Sequence, residues 1–314
     1  MIVNQANLRG LNVAYSTAYN KAFQETNTNY EKIATTVPSA TASTDYKWLG
    51  QMPQMREWIG SREIQKMAAY HYVITNKKFE MTVSVPKEDI EDDQYGIYTP
   101  LLINMGEAAA QHPDILCFDA LKSGFKEKCY DGKPFFSEEH PSGTGGKKKA
   151  SNLCHDKLDA DAYEKARTSI MSITGDKGKS LNLVPNLLVV SPTNEKAARL
   201  ILKADQINGT TNVLKDTAEL LVATELADMP DAWFLLCTNR FLKPIIFQKR
   251  KPIKLTSLTK DDDENVFMRD EFIWGADGRS NAGYGFWQMA YGSDGTGKTP
   301  QQDDKDSSAE NTKG

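Results

Sequence analysis

The stretch that most resembles a chemical site is GSDGTGKT, residues 292–299. It matches the phosphate-binding pattern G-x-x-x-x-G-K-[ST] at every fixed position. Such a loop needs a strand before it and a helix after it, because backbone N–H groups and the helix N-terminus then converge on the phosphates. YGFWQMAY could form the strand, but Pro300 and QQDDKDSSAENTKG contain no apolar period for a helix. We therefore predict that this motif does not bind a nucleotide.

Four residues of the zinc-ligand type lie in or beside a long loop, residues 126–152: Cys129, His140, Cys154 and His155. Zinc ligands usually occur in pairs two to four residues apart. The successive gaps here are eleven, fourteen and one residues, and the adjacent Cys154 and His155 do not form a usual chelating pair. We interpret all four as ordinary loop residues and predict no metal ligand among them.

The charged runs raise two further alternatives. DIEDD at 89–93 and DDDE at 261–264 could hold magnesium, but both occupy polar turns, where solvated carboxylates are commoner than metal cages. The basic runs at 147–149 and 249–251 lack interleaved aromatic residues for reading nucleic acid. No serine lies in a G-x-S-x-G sequence. We predict no catalytic residue, no cofactor-binding residue and no enzyme activity.

Composition places the chain among globular proteins. The chain is 39% hydrophobic and 25% charged, and its 314 residues are enough for one large or two ordinary domains. The net charge of −4 gives no general attraction to nucleic acid or anionic membranes. No run approaches the roughly 18 apolar residues of a membrane span. MIVNQANLRGLNVAYS lacks a basic segment followed by an apolar run, so we expect a protein that matures in a cytoplasm.

The N-terminal part has few large apolar residues. Leu8 and Leu11 indicate a short helix, and VPSATAST indicates an extended linker that lies across something else. Residues 46–69 crowd Trp48 and Trp58 among glycine and proline, so neither a helical nor a strand period survives. This segment is either a loop on its own core or an extension that packs on a partner, since interfaces favour Trp, Met and Arg.

The next elements follow from periodicity. FEMTVSVP alternates as a half-buried strand, and YHYVIT before it predicts a hairpin with a turn at 76–78. Residues 100–110 predict a helix that Pro113 breaks or kinks, with a second piece ahead of Gly124. Such an interrupted helix can act as a structural spine.

The second half of the chain predicts a mixed α and β region. A helix is expected after a cap near Asp159, and NLLVVSP predicts a buried strand. Ser191 and Pro192 predict the N-cap and first turn of another helix. WFLLC, PIIF, IKL, NVFM, EFIW and YGFWQMAY are interpreted as short strands, and the stretch from Ser293 as a disordered tail.

These elements, in this order, resemble the major capsid proteins of tailed bacteriophages, specifically the Mu-like major head subunit (gpT) family. The resemblance spans roughly residues 1–292, whereas the tail has no counterpart. It rests on five segments: KWLGQMPQMREWIGSR, KKFEMTVSVPKEDIEDDQYGIY, CYDGKPFFSEEHP, NLLVVSPTNEKAARLIL and FIWGADGRSNAGYGFWQMAYG.

The resemblance implies an α+β capsid-shell fold of the HK-ninety-seven type. It implies six parts: an N-terminal arm (1–45), an extended loop and hairpin (46–85), a peripheral domain with the spine helix and long loop (86–154), an axial domain (155–240), return strands to the peripheral domain (241–292) and a disordered tail (293–314). The extended loop would reach over a neighbouring subunit, with these interface residues: Trp48, Leu49, Met52, Met55, Arg56, Trp58 and Ile59.

The implied function is that of a major capsid (head) protein that self-assembles into the icosahedral shell around phage genomic DNA. Implied partners are other copies in hexamers and pentamers, a scaffold, a portal, a maturation protease and packaged double-stranded DNA bound without sequence specificity. We expect no cofactor and no membrane, a location in the virion, and assembly in the bacterial host cytoplasm. A mildly acidic chain suits a DNA container, since a strongly basic wall would hold DNA through many phosphate contacts.

Other classes stay open at this point. An encapsulin-like shell around protein cargo would share the fold. A nucleotide hydrolase would depend on Lys298 in the GSDGTGKT segment, and a metal-dependent nuclease would depend on the acidic runs.

Overall fold

The computed structural model describes residues 5–49, 71–91, 95–142, 148–175, 178–207, 209–260 and 262–297. The helices are α1 Gln5–Glu25, α2 Tyr30–Ile33, α3 Lys87–Glu91, α4 Thr99–Ser123, α5 Ala160–Ser172, α6 Glu195–Lys203 and α7 Glu264–Arg269. The strands are β1 Ala34–Pro38, β2 Ser43–Asp45, β3 Val73–Thr75, β4 Lys77–Pro86, β5 His140–Ser142, β6 Lys148–Ala150, β7 Leu153–Cys154, β8 Leu187–Val190, β9 Gln206–Ile207, β10 Thr210–Thr211, β11 Glu219–Val222, β12 Trp233–Leu236, β13 Ile245–Leu258, β14 Glu271–Tyr284 and β15 Ala290–Ser293.

Two larger sheets organise the described chain, which is α+β as predicted. The first has the order β1-β13-β14-β4 and is antiparallel apart from the β1–β13 pair. The second has the order β11-β8-β12-β15-β7 and is mixed. Three two-stranded ladders, β2-β3, β5-β6 and β9-β10, complete the pairing found in these residues.

The long sheet is built on the predicted alternation. In β4 the apolar side chains point towards α1 and α4, while the polar ones face outward. Val85 lies opposite Phe272 and Val83 opposite Trp274, so the two strands bury matching faces. β13 and β14 each have 14 residues, about 46 Å at ~3.3 Å per residue. β4 flanks the hairpin at its Glu271 end and β1 flanks it at its Ile245 end, so the hairpin runs the full length of the sheet.

The spine is one helix, α4, so the predicted break into two pieces at Pro113 is wrong, while a kink there stays a prediction. The helix runs through Pro113 with buried side chains on both sides of it. Its first half packs Leu102 and Met105 against α1 and the long sheet, and its second half packs Phe118 and Leu121 into the core of the five-stranded sheet. Packing at both ends outweighs the local cost of the proline. The spine thereby joins the two cores.

The N-terminal segment is more ordered than the sequence predicted. The expected short helix is the 21-residue α1, which lies along α4, and the expected linker VPSATAST overlaps the end of β1 and the start of β2. Tyr15 and Tyr19 are buried, and the Tyr15 ring meets Trp274 edge-on with centroids 5.0 Å apart. Gly106 of α4 allows the close approach, since a Cβ there would lie 3.0 Å from the Cβ of Ala22. Contacts with distant residues, rather than helix propensity, hold this segment.

The predicted hairpin of YHYVIT with FEMTVSVP is also wrong. β3 pairs with β2, and β4 pairs with β14. Asn76 between β3 and β4 donates its side-chain amide to Ser39 Oγ and Thr41 O, and its backbone N–H to Ala42 O. These bonds hold the chain against residues 39–42, so it does not turn back on itself.

Three other expectations are corrected. NVFM lies in α7 rather than in a strand. PIIF and IKL belong to the single strand β13. Ser293, the expected start of the disordered tail, is a fully buried residue of β15, and residues 294–297 continue with fixed hydrogen bonds. Residues 298–314 lie outside the described part.

The two helix caps predicted in the second half of the chain are confirmed. The Asp159 carboxylate accepts the Ala162 N–H at 2.7 Å at the start of α5. Ser191 Oγ accepts the Asn194 N–H at 3.4 Å and begins a short 3-10 turn that leads into α6. NLLVVSP provides β8, whose four residues are all buried.

Candidate assembly interface

The predicted interface residues begin where the β2-β3 ladder ends. Trp48 is 42% exposed, and its ring meets Tyr46 and Phe286 edge-on at 6.1 and 6.2 Å. Leu49 is fully buried in the core of its own subunit. Trp48 therefore offers surface to a neighbour, whereas Leu49 anchors the chain. The other five, Met52, Met55, Arg56, Trp58 and Ile59, lie outside the described residues.

The base from which residues 50–70 depart is firmly held. Tyr46 donates its hydroxyl to Gln248 Oε1 at 2.8 Å, and Gln248 donates its amide to Ile74 O at 3.0 Å. Burial raises the pKa of Tyr46 to about 12, so this hydroxyl stays a donor at neutral pH. The Tyr72 hydroxyl accepts the Tyr284 N–H at 2.8 Å on the other side. The chain is therefore fixed on both sides of this segment.

The GSDGTGKT segment has its backbone donors occupied by the chain itself. β15 precedes it, as the motif requires, but Gly295 N–H donates to Ser293 Oγ and Thr296 N–H to the Asp294 carboxylate. Gly297 N–H donates to His155 O. A phosphate loop needs such N–H groups to point at the ligand. Lys298 and Thr299 lie outside the described residues.

The four residues of the zinc-ligand type fall into two places. Cys129 and His140 meet through Asp131, a residue that the sequence analysis did not consider, while His155 contacts Asp294 at 2.9 Å. Cys154 lies in β7. The signal for the first group was the Asp131-Gly132 turn that lies between the two predicted ligands.

Hydrogen bonds account for the group around Asp131. Its Oδ1 accepts from Cys129 Sγ at 3.1 Å and from the Lys133 N–H at 3.0 Å, and its Oδ2 lies 2.6 Å from His140 Nδ1. The His140 ring stacks on Trp287 with centroids 4.1 Å apart. The three ligand-type atoms lie within 4.8 Å of one another. Their partners within the chain give the group a structural role: the hydrogen bonds close the long loop on itself, and the His140 ring holds it against Trp287, just before β15.

The electrostatics of this group agree with that role. Burial raises the pKa of the Cys129 thiol, so the thiolate needed for metal binding or nucleophilic attack is disfavoured. Burial would also raise the pKa of Asp131, but the hydrogen bond and the charge of His140 outweigh it and hold that pKa below its usual range. The carboxylate therefore stays ionised inside the protein.

The described residues of the two acidic runs lie near the same end of the long sheet. Pro86, which precedes α3, pairs with Glu271, which follows α7, and Lys87 lies 3.7 Å from Asp270. Asp89 accepts the Tyr98 hydroxyl, and Asp263 accepts the Lys260 N–H at 2.8 Å. Among the described residues, the group around Asp131 is the one cluster compact enough to ligate an ion. The acidic end also exposes Phe267 and Met268, which sequence reasoning had placed in a strand.

Fold and surface together define a class of protein. The 25-residue spine helix, the four-stranded long sheet and the separate five-stranded mixed sheet have the fold of a tailed-phage capsid-shell subunit. A solved structure of the bacteriophage JBD30 procapsid is similar over 97% of this chain and 80% of that chain, with 35% sequence identity and a TM-score of 0.62.

Sequence comparison narrows the class to one family. The family described as Mu-like prophage major head subunit gpT matches residues 8–157, 153–226 and 223–303. The major capsid protein of Escherichia phage Mu is 34% identical over 290 residues, 92% of this chain and 74% of that protein. The Mu-like prophage FluMu major head subunit of Haemophilus influenzae is 35% identical over 284 residues, which are 90% of this chain and 72% of that protein. The chain belongs to the Mu-like major head subunit family, whose members form phage capsids.

Within the described residues, no helix has the length and apolar character needed to cross a membrane.

Proposed function

We propose that many copies of this chain close into the icosahedral shell of a phage head that encloses genomic double-stranded DNA. The observation that carries the proposal is the agreement with a procapsid subunit over 97% of the chain, in both sequence and fold. We further propose that the copies associate in hexamers and pentamers, with a scaffold, a portal and a maturation protease as partners. Assembly would occur in the bacterial host cytoplasm, and the product would be part of the virion.

The six parts drawn from the sequence become the proposed working parts of the subunit. The axial domain, 155–240, would cluster around the symmetry axes. Its five-stranded sheet also takes β7 and β15 from outside that range. The peripheral domain would use the spine helix as its frame, because α4 contacts both cores.

The extended loop is the proposed interlocking device. Trp48 stands half exposed on a base held by Tyr46 and Gln248, and Met52, Met55, Arg56, Trp58 and Ile59 follow it in the sequence. Buried aromatic residues carry much of the binding energy of protein interfaces. We infer that this loop buries its Trp and Met side chains on a neighbouring subunit.

DNA inside the shell would be contained rather than recognised. The net charge of −4 leaves no general attraction to phosphates, and the basic runs lack aromatic residues between them. We propose that the chain has no enzyme activity, since the described N–H groups of the GSDGTGKT segment donate within the protein and the Cys129 thiol stays protonated.

Co-expression with a cognate scaffold, followed by sedimentation, tests this function. We expect fast-sedimenting particles that a family portal and packaging machinery fill with nuclease-protected DNA. Particles that instead carry a specific protein and never protect DNA would favour the encapsulin-like alternative. A chain that stays a slow-sedimenting monomer with scaffold present would refute a shell function.

A further inference from the structure

One end of the long sheet carries an exposed aromatic side chain on a fixed loop. Phe241 lies just before β13 and is 95% exposed. Its carbonyl accepts the Thr35 hydroxyl at 3.0 Å, and the oxygen of that hydroxyl accepts the Lys243 N–H at 2.9 Å. Leu242, between the two, is buried in the core. A phenylalanine that a rigid backbone holds in solvent is typical of an interaction site.

The surface around Phe241 is basic. The segments that meet there, 29–35, 180–186 and 238–244, contain three cations and one carboxylate, Glu31. Each cation donates to a neutral oxygen: Lys32 to Asn29 Oδ1 at 2.9 Å, Arg240 to Leu181 O at 3.2 Å and to Asn182 O at 2.8 Å, and Lys243 to Glu31 O. These contacts leave the positive charges in place. We call the surface formed by Lys32, Arg240, Phe241 and Lys243 the basic end.

The opposite end of the same sheet is acidic and also exposes apolar side chains. There α7 exposes Phe267, at 82%, and Met268, at 69%. The segment DDDENVFMRDE, residues 261–271, contains six acidic residues and one arginine. Asp262 and Glu264 are exposed and form no ion pair within the described residues. This acidic end therefore matches the basic end in apolar character and opposes it in charge.

The acidic end is as firmly held as the loop at the basic end. Val266 is buried in the core beside α1. Asn265 donates its side-chain amide to Leu258 O at 3.2 Å and to Glu271 O. Because the backbone of both ends is already fixed, a contact between them would cost little ordering entropy.

One subunit cannot bring its own two ends together. β13 starts four residues after Phe241 and ends six residues before α7. Its 14 residues span about 46 Å at ~3.3 Å per residue. A contact between a basic end and an acidic end therefore needs two copies of the chain.

Charge favours contact between unlike ends. Two acidic ends would repel each other, as would two basic ends, whereas one of each attract. The same contact would remove Phe241, Phe267 and Met268 from water, which is favourable in proportion to the apolar area buried. The partner whose chemistry fits the basic end is thus present on the chain itself.

We propose that α7 at the acidic end of one subunit docks on the basic end of a second copy of this chain. Phe267 and Met268 would pack against Phe241. Asp262 and Glu264 would lie beside the cations of the basic end. This inference rests on the proposed shell function. Because every copy has both ends, the contact is heterologous, passes from copy to copy and can close a ring.

Cross-linking of added cysteines tests the contact. Asn239→Cys at the basic end and Arg269→Cys at the acidic end both alter exposed positions and leave the apolar side chains in place. They are made singly and together on a Cys154→Ser background, because the other three native cysteines are buried. All variants are assembled with scaffold and treated with a short bis-maleimide. We expect a ladder of dimers, trimers and larger species from the paired variant, and none from either single variant or from Cys154→Ser alone.

The same samples separate this inference from the shell function. A dimer from either single variant would mean that like ends meet and would overturn the proposal. Closed particles of the paired variant without a ladder would overturn the docking and leave the shell intact. Absence of particles from the unmodified chain would instead refute the shell function.

Charge reversal gives a second measure, which a mere loss of folding would not reproduce. Arg240→Glu and Glu264→Lys should each raise the concentration needed for assembly about tenfold or more, since like charges would then face each other. The two changes combined should restore most of the assembly, because the pair again has opposite charges. A combined variant that assembles no better than either single variant would contradict the docking.

Truncation of the ring distinguishes this contact from nucleic-acid binding, for which a basic surface with an aromatic residue is also suited. Phe241→Ala should raise the concentration needed for assembly about tenfold or more, since a buried ring is lost at every contact. Phe241→Leu, the matched control, should assemble nearly as well as the unmodified chain. Normal assembly of Phe241→Ala would overturn the docking, and a loss of nuclease-protected DNA from those particles would assign the surface to nucleic acid instead.

Discussion

Replacing Asp131 with alanine removes the centre of the hydrogen-bond group that closes the long loop on itself and positions His140 against Trp287. The carboxylate is 1% exposed and accepts from Cys129, Lys133 and His140, whose side chain is fully buried. Alanine leaves these three donors without this acceptor in a site that is shielded from solvent.

The cost follows from the groups left unpaired. Removing one partner of a buried ion pair costs about 3–5 kcal/mol, and a buried N–H left without an acceptor costs about 1–3 kcal/mol. The two overlap at one site, so we expect a loss of about 4 kcal/mol in the free energy of unfolding. At about 2–4 °C per kcal/mol, the melting temperature should fall by about 8–16 °C.

The assay is thermal and urea unfolding of the unassembled subunit at neutral pH. Glu139→Ala is the matched control from the same loop, because Glu139 is half exposed and pairs with Lys133 and Lys149 at the surface. Exposed pairs contribute little, so the control should unfold almost as the unmodified chain does. An Asp131→Ala variant that also unfolds like the unmodified chain would refute the structural role of the group.

The direction of the pKa shift of Asp131 determines how the stability of the chain should depend on pH. The pKa of Asp131 is held below its usual range in the folded state, so its contribution is fully present above the unfolded pKa of about 4. The contribution is lost as pH falls through the folded pKa. The difference in stability between the unmodified chain and Asp131→Ala should thus shrink as the pH falls below about 4.

Three further predictions concern other parts of the chain. Gly106→Val should displace α1 from the spine, because even a Cβ at this position would lie 3.0 Å from Ala22 Cβ and 3.1 Å from Phe23 N. Limited proteolysis should then cleave α1 in the variant, and resistance equal to that of the unmodified chain would contradict the close contact. Trp48→Ala and Trp58→Ala should fold but assemble poorly, as particle yield and circular dichroism would measure; assembly at the normal yield would refute the interlocking role. Lys298→Ala should leave assembly unchanged, and equilibrium dialysis should detect no ATP bound by the unmodified chain; ATP binding that Lys298→Ala abolishes would revive the nucleotide-site alternative.

Sequence patterns predicted the features that depend on neighbouring residues. The alternation in β4, the Asp159 cap of α5 and the Ser191 cap before α6 each involve a few consecutive positions. Local hydrogen bonds and side-chain periods determine such features.

Features that depend on distant contacts were missed. α1 is polar, and its order comes from α4, about 90 residues further on. NVFM is too short a run to distinguish helix from strand, and Asn265 and Val266 settle it through contacts with β13, β14 and the core. β3 pairs with β2 across residues 46–72, which no local turn signal indicates.

The same contrast between local patterns and distant contacts holds for the candidate interface and the phosphate-loop motif. Composition indicated an interface near Trp48 but could not separate exposed Trp48 from buried Leu49, since both belong to one apolar run. The phosphate-loop pattern was complete in sequence, yet Gly295 and Thr296 donate their N–H groups to side chains of the same segment and Gly297 donates to His155 O, which uses the donors that a phosphate would need. A sequence motif specifies residue types, whereas phosphate binding also requires backbone N–H groups that do not already donate within the protein.

The most direct test of the central claim is negative-stain electron microscopy of the purified chain after size-exclusion chromatography, with and without scaffold co-expression. The account predicts closed shells, or capsomer rings and tubes, as the assembled species. A compact monomer that stays monomeric in assembly-promoting salt and with scaffold present would contradict it.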